Sequence, residues 1–190
     1  MNMHIPQSLQ TFTELEQICL VPQNIISPGT SKPSIEITQD TLVGGYLLTK
    51  DDIKLSKADM YNYMMFSNKY NGNLPEPAGI EYGQPFWTGK QLYSLILPDI
   101  NIMQIKTVKI VRGNIIEGHL NNQSLGSDSA GLIKQIYNAY GTDRCVDFLN
   151  NTEKLITRWM AHNSFSISFG DSIVDKTQRA GIKDNIKNYL

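Results

Sequence analysis

Two pairs of acidic residues are the first candidates for chemistry in this chain. Asp51 and Asp52 are adjacent, and Asp171 lies four residues before Asp175. Phosphoryl transfer with two metal ions needs clustered carboxylates that hold the ions about 3.5–4 Å apart. Neither pair lies in a glycine-rich loop with further acids, so we interpret the first pair as solvated charge and Asp171 as a cap. The sequence therefore predicts that this chain binds no catalytic metal.

The three histidines are isolated from one another. His4 belongs to an alternating segment at the start of the chain, where we expect a structural role. His119 lies on a predicted hairpin strand and is expected at the surface. His162 and Asn163 end a long predicted helix, where asparagine suits the left-handed conformation of a C-terminal cap. The chain has neither a Ser-His-Asp spacing nor a zinc-ligand spacing, so these two chemistries are not indicated.

The segment Thr88-Gly89-Lys90 lacks the upstream glycine of a phosphate-binding loop. Thr88 is instead predicted to be the N-cap of a short helix, with Lys90 exposed in its first turn. The lysines within residues 50–57 are interspersed with acids and form no basic stripe. Autonomous binding of nucleic acid is therefore not expected.

The composition is that of an ordinary globular protein. The chain has 190 residues, 41% hydrophobic and 18% charged, and a net charge of −1, so it can bury a core but does not attract phosphate globally. No apolar run reaches the roughly 18 residues of a membrane span, and the start lacks the basic head of a signal peptide. Cys19 and Cys145 occupy apolar helical positions, so we expect reduced, buried thiols in an intracellular protein.

Apolar periodicity and capping residues place helices and strands in irregular alternation, which predicts an α+β fold. Seven helices are predicted, beginning at Ser8 or Thr11, Asp40, Ser56, Thr88, Ser129, Thr142 and Lys176. The helix from Asp40 is expected to break near Gly44 and Gly45, and the helix from Ser129 is expected to end at Gly141 as its C-terminal cap. The predicted strands are 1–5, 34–39, a hairpin within 102–120 that turns at residues 112–114, and 164–169. Residues 69–87 contain three prolines and are predicted to be irregular.

The opening strand poses an energetic problem. Ordering its residues costs about 1.5 kcal/mol each, and burial of Met1, Met3 and Ile5 returns about 1.5–3 kcal/mol each. Because the two sums are close, this strand needs neighbours on both edges. The other predicted strands are few and distant, so we infer that the sheet is completed by another polypeptide and that the chain is incomplete as an isolated domain.

Five segments, in this order, resemble the largest subunit of multisubunit DNA-directed RNA polymerases, of the eukaryotic or large-DNA-virus type. They are MNMHIPQSLQTFTELEQ, NIISPGTSKPSIEITQDTLVGGYLLT, PAGI with FWTGKQLYSLILP, LGSDSAGLIKQIYNAYG, and RWMAHNSFSISFGDSIVD. The resemblance implies that the first strand closes a double-psi β-barrel. It also implies that the catalytic Mg²⁺ is bound by an aspartate loop immediately upstream of Met1, not by this chain.

The same resemblance implies a division into residues 1–45 (end of the active-site barrel domain), 46–170 (pore domain) and 171–190 (start of the funnel helices). The residues implied to lie near the pore or active site are His4, Gln39, Asp40, Lys90, His162 and Asn163. The chain departs from the family at Ser164, where glycine is usual, and at Asp128, which adds an acid to a neutral loop. Neutral Asn122 and Gln123 replace basic residues, so a less positive pore lining is expected than the resemblance implies.

As part of such a subunit, the chain would support the catalytic centre and form the nucleotide-entry pore in DNA-templated RNA synthesis, without being catalytic alone. Its expected partners are the upstream part of the largest subunit, the second-largest subunit and the small subunits, with DNA and RNA bound through the assembly. The expected location is the nucleus, or a viral factory or virion. The alternatives are a non-catalytic truncated remnant and an independent module that binds a transcription factor.

Overall fold

The computed structural model describes residues 2–67, 70–103 and 107–189. The helices are α1 (Leu9–Glu14), α2 (Gln39–Leu48), α3 (Lys57–Met64), α4 (Gly89–Ser94), α5 (Asn122–Leu125), α6 (Leu132–Asn163) and α7 (Lys176–Tyr189). The strands are β1 (Lys54–Leu55), β2 (Gly79–Glu81), β3 (Gln84–Thr88), β4 (Val108–Val111) and β5 (Asn114–Gly118). A π-helical turn (Leu15–Cys19) and a 3₁₀ turn (Val21–Asn24) follow α1, and a second 3₁₀ turn (Phe169–Ser172) precedes α7.

The strands form two small antiparallel sheets, which confirms the α+β class. One sheet has the order β1-β3-β2, with Leu55 opposite Trp87 and Ile80 opposite Pro85. The other is the hairpin of β4 and β5, which turns at Arg112 and Gly113. Both turn residues have positive φ, 49° and 73°, as a two-residue hairpin turn with the native twist requires. The hairpin prediction is therefore confirmed for its described residues, whereas residues 104–106 lie outside them.

The main core forms where α2 and α4 pack against α6. Gly44 and Gly45 are buried against Ile156, and Tyr93 of α4 meets Phe148 of α6 edge to face. The predicted break in α2 is wrong, because both glycines lie inside one continuous helix. They let two backbones approach closely rather than interrupting the helix.

Two local capping signals are confirmed, whereas the predicted helix start at Ser129 is wrong because α6 begins at Leu132 after Gly131. Ser56 caps α3 together with Asp59, and Thr88 caps α4 together with Gln91, each through a reciprocal capping box. Gly141 has the predicted left-handed backbone, with φ 78°. It forms a kink within α6, however, because the helix resumes directly after it.

Three predicted strands, 1–5, 34–39 and 164–169, do not form among the described residues. Residues 34–38 are outside any strand, and Ile37 donates its backbone N–H to the Leu125 carbonyl at 3.1 Å. The alternation of apolar and polar residues in this segment reflects the burial of Ile37 and the partial burial of Ile35. It does not reflect hydrogen-bonded pairing with a neighbouring strand. Residues 164–168 are exposed and lack strand structure, because no sheet is present there to bury one face.

The irregular assignment of residues 69–87 is wrong in its second half. β2 and β3 form a hairpin there, and its turn residues Tyr82 and Gly83 have φ 48° and 77°. Pro85 lies in β3 opposite Ile80. The sequence signal was weak because tyrosine precedes the turn glycine where asparagine or aspartate is typical. Residue 69 itself lies outside the described residues.

Both ends of the described chain expose apolar side chains. Residues 2–7 form no strand, Met3 is 94% exposed, and Met1 lies outside the described residues. Helix α1 contains no buried residue, and Leu9 and Phe12 are both exposed. Cys19 is exposed as well, so its predicted burial is wrong, whereas Cys145 is buried. Within the described ranges, no helix is both long enough and apolar enough to cross a membrane.

Candidate functional site

Lys90 forms an ion pair with Asp51 next to the end of α2. Its side chain is only 14% exposed, whereas that of Asp51 is 79% exposed. The prediction of an exposed lysine is therefore wrong. The Thr88 cap fixes the start of α4, since the Gln91 N–H donates to the Thr88 hydroxyl at 3.2 Å and the Thr88 N–H donates to the Gln91 side chain at 3.0 Å. The cap thereby orients the first turn, from which Lys90 reaches Asp51.

The polar cluster beside this ion pair connects α2 to the segment after β5. His119 contacts the Thr49 carbonyl through Nδ1 at 2.9 Å, so Nδ1 carries the proton and donates it. The Thr49 hydroxyl donates to the Gly45 carbonyl at 2.8 Å and accepts the Leu120 N–H at 3.0 Å. His119 also packs edge-on against Tyr46. His119 is thus half-buried in a structural cluster, and the prediction of a surface histidine is wrong.

The ion pair affects the titration of Asp51. The hydrogen bond from Lys90, together with its positive charge, lowers the pKa of the Asp51 carboxyl below its ordinary value of 3.8. Because the folded pKa is depressed, the contribution of this pair to stability is present above pH 3.8 and is lost as the pH falls through the folded pKa. Asp51 is exposed, so the contribution is expected to be small.

A Lys90→Met variant tests this pair. We expect the Asp51 carboxyl, followed by NMR during a pH titration, to have a pKa below 3.8 in the parent chain and to return towards 3.8 in the variant. Lys54→Met is the matched control, because Lys54 pairs with Glu81 instead. An unchanged Asp51 titration in Lys90→Met would show that the pair is not formed in solution.

Gln39 and Asp40 lie together at the start of α2. Both side chains are exposed, and the Gln39 backbone is left-handed, with φ 52°, which is uncommon for a residue other than glycine. Asp40 faces a groove between α2 and α6. There the Thr41 hydroxyl donates to the Glu153 carboxylate at 2.7 Å. Asp40 lines both parts of this groove, and Gln39 lines one of them.

His162 and Asn163 lie at the end of α6, next to α3. The His162 ring packs edge-on to Tyr63, with 6.0 Å between centroids, and Asn163 donates through Nδ2 to the Trp159 carbonyl at 3.0 Å. The left-handed residue is Ser164, with φ 41°, so the prediction of Asn163 as the left-handed cap is wrong. Burial raises the pKa of Tyr63, and the charge of Asp59 adds to this.

The predicted residues are therefore distributed over separate places. His4 is exposed in the unpaired N-terminal segment, Lys90 lies beside the end of α2, and Gln39 and Asp40 lie at its beginning. Asp171 caps a turn as predicted, because its carboxylate accepts hydrogen bonds from the Ser168 N–H at 2.7 Å and hydroxyl at 3.0 Å. These bonds lower the pKa of Asp171.

The described residues do not fit a bound metal. In the described ranges, no three His, Cys, Asp or Glu side chains come close enough to hold an ion. That the catalytic Mg²⁺ is held by another segment stays a prediction.

Sequence reasoning missed Thr49 and Glu153. Thr49 is fully buried: its hydroxyl bonds to the Gly45 carbonyl and the Leu120 N–H, and its carbonyl accepts a hydrogen bond from the His119 ring. Glu153 accepts hydrogen bonds from both Thr41 and Thr157. The partners that give these two residues their place in the fold, Leu120 for Thr49 and Thr41 for Glu153, are distant in sequence, so no local spacing indicates them. The only available signal was a threonine directly after the apolar run of α2.

Comparison with known proteins identifies the family. A family model described as RNA polymerase Rpb1, domain 3, matches residues 24–172. The DNA-directed RNA polymerase II subunit RPB1-B of Trypanosoma brucei brucei is 34% identical over 186 residues, a match that covers 92% of this chain and 10% of the relative. This chain thus spans about a tenth of that relative's length, and the resemblance inferred from the five sequence segments is confirmed. The chain belongs to the Rpb1 family of RNA polymerase largest subunits, whose domain 3 it contains.

Proposed function

We propose that this chain works as part of a DNA-directed RNA polymerase, in which it supports the catalytic centre and forms part of the nucleotide-entry pore. The observation that carries the proposal is the match of 92% of the chain to an RNA polymerase II subunit. The reaction is nucleotidyl transfer, carried out by the assembly and not by this chain alone. Its partners are the rest of the largest subunit, the second-largest subunit and the small subunits, with DNA and RNA held by the whole assembly.

The exposed apolar ends support assembly with other polypeptides. Met3, Leu9 and Phe12 lie on a segment with no buried residue, and Ile182 and Ile186 are half-exposed one turn apart on α7. Exposing this much apolar surface is unfavourable by about 25 cal/mol per Å². We infer that residues 1–45 join the double-psi barrel through the N-terminal segment, that 46–170 form the pore domain, and that 171–190 begin the funnel helices.

Within this proposal, the predicted site residues face the channel rather than react. Lys90, paired with Asp51, would lie in the wall of the channel with most of its charge balanced by that carboxylate. Gln39 and Asp40 would lie on a second wall, and His4, His162 and Asn163 near the active site. Mg²⁺ would be supplied by an aspartate loop of another segment. The expected location is the nucleus, or a viral factory or virion if the chain is encoded by a virus.

Co-purification tests the proposal. The tagged chain is isolated from the cells that make it, and we expect the second-largest polymerase subunit among the bound proteins. A Leu9→Glu, Phe12→Glu variant places charge on the exposed apolar side of α1 and should reduce the yield of that subunit at least about tenfold, equivalent to about 1.4 kcal/mol. Thr13→Glu, on an exposed polar position of the same helix, is the matched control and should retain it.

Failure of the parent chain to retain any polymerase subunit would contradict the proposal. Equal loss in the Thr13→Glu control would contradict the role given to the apolar side of α1. Circular dichroism of each variant shows whether the helical content is kept, so that a loss of binding is not mistaken for a loss of folding.

A further inference from the structure

A groove runs between the start of α2 and the middle of α6. It consists of two adjoining cavities of about 390 and 470 Å³, both lined by Asp40, Thr41 and Glu153. One extends along Met160 towards Phe165, and the other extends along residues 35–38. Together they have the volume to hold a few side chains of a bound peptide.

The floor of the groove is apolar. Ile156 is buried, Met160 is partly buried, and Phe165 is 49% exposed. Gly44 lies against Ile156 and Met160, where a β-carbon would come within 2.8 Å of both. This close approach fixes the floor, because neither helix has space to move inward.

The rim of the groove is acidic. Asp40, Glu36 and Glu153 line it, and no Lys or Arg is among the described lining residues. The Glu153 carboxylate accepts hydrogen bonds from Thr41 at 2.7 Å and Thr157 at 3.3 Å, and Glu36 accepts the Ser127 N–H at 3.1 Å. Hydroxyl and amide donors orient these carboxylates without neutralising their charge.

We propose that this groove docks a basic segment of a partner protein, in which a Lys or Arg pairs with Asp40 and Glu153 while a neighbouring apolar side chain contacts Phe165 and Met160. The inference goes beyond the proposed function and does not depend on it. Charge complementarity selects the partner: an acidic rim attracts cationic side chains and repels phosphate backbones. Because the floor is apolar, the partner must also supply an apolar side chain, which a simple cation lacks.

Peptide binding to the full 190-residue chain tests this inference. The probe is a fluorescein-labelled peptide of alternating arginine and leucine, and binding is followed by fluorescence anisotropy. Two reference peptides replace leucine by serine or arginine by glutamate. We expect the arginine–leucine peptide to bind at least about tenfold more tightly than either reference, since both the charge and the apolar contact contribute.

Two variants locate the binding. The double variant Asp40→Asn, Glu153→Gln keeps the size of both side chains but removes their charges. It should weaken binding of the arginine–leucine peptide by about tenfold, because two exposed charge pairs are lost. Glu117→Gln, an exposed acid of β5 away from the groove lining, is the control and should leave binding unchanged.

Three outcomes would overturn the inference: equal affinity for the serine reference, equal weakening by Glu117→Gln, or no binding of the arginine–leucine peptide at low salt. Phe165→Ser gives an independent measurement, because Phe165 lies outside the helices and its replacement leaves the core intact. We expect it to weaken the arginine–leucine peptide and leave the arginine–serine peptide unaffected. Equal effects on both peptides would also overturn the inference.

Discussion

Replacing Phe148 with alanine is expected to destabilise the fold by about 3–5 kcal/mol. Phe148 is fully buried on α6, and its ring meets Tyr93 of α4 at 6.5 Å between centroids, nearly perpendicular. The substitution removes the buried ring and leaves a cavity that the rigid helix pair cannot fill. It also removes the edge-to-face contact, which contributes about 0.5–1.5 kcal/mol beyond burial.

Urea unfolding followed by circular dichroism measures this effect. Phe169→Ala is the matched control, since Phe169 is 84% exposed and its truncation should change the free energy of unfolding by less than about 0.5 kcal/mol. Similar effects of the two substitutions would contradict the packing of α4 on α6 described above.

Replacing Gly89 with alanine is expected to destabilise the chain by about 3 kcal/mol, at the upper end of the usual range for overpacking. A β-carbon at Gly89 would lie 1.9 Å from the Leu48 carbonyl oxygen. Because this neighbour is backbone, it cannot rotate away, and α2 must move relative to α4. The movement would also disturb the hydrogen bonds that Thr49 makes directly after Leu48.

Gly181→Ala is the control for the glycine prediction. Gly181 lies within α7, and a β-carbon added there would have no neighbour within 4 Å. Alanine at this position should therefore stabilise the helix by about 0.5–1 kcal/mol. The two variants are compared by thermal unfolding. A Gly89→Ala chain as stable as the parent would contradict the close approach of α2 and α4.

The local features of this fold could be predicted from the sequence because their signals are local. Ser56 with Asp59, Thr88, and the turn at Arg112 and Gly113 each act through neighbours within a few residues. The α7 boundaries, Lys176–Tyr189, also follow from a short-range pattern. Capping and turn chemistry determine these positions whatever the rest of the chain does.

Features that depend on distant contacts could not be predicted in the same way. The alternation in residues 34–39 predicts a strand, but Ile37 is buried by packing and finds its backbone partner at Leu125. Similarly, His119 is half-buried because Thr49, 70 residues away in sequence, provides a carbonyl. Tertiary contacts override strand propensity in such segments.

The candidate site was predicted less well than the fold. Asp40 was assigned on the family resemblance, and it lines the groove between α2 and α6, but Glu153 has no motif that indicates its position beside Thr41. Lys90 was identified correctly as a residue of the first turn of α4, yet its partner Asp51 lies 39 residues earlier. Spacing along the chain does not encode such pairs.

The central proposal is that the N-terminal segment of this chain packs against other parts of an RNA polymerase. Hydrogen exchange of residues 2–21, measured in the free chain and in the purified assembly, tests it most directly. In the free chain this segment is exposed, so its amides should exchange rapidly, and in the assembly they should exchange at least about tenfold more slowly. The buried amides of α6 from Leu155 to Trp159 provide the internal reference. Equally rapid exchange of residues 2–21 in both states would contradict the claim.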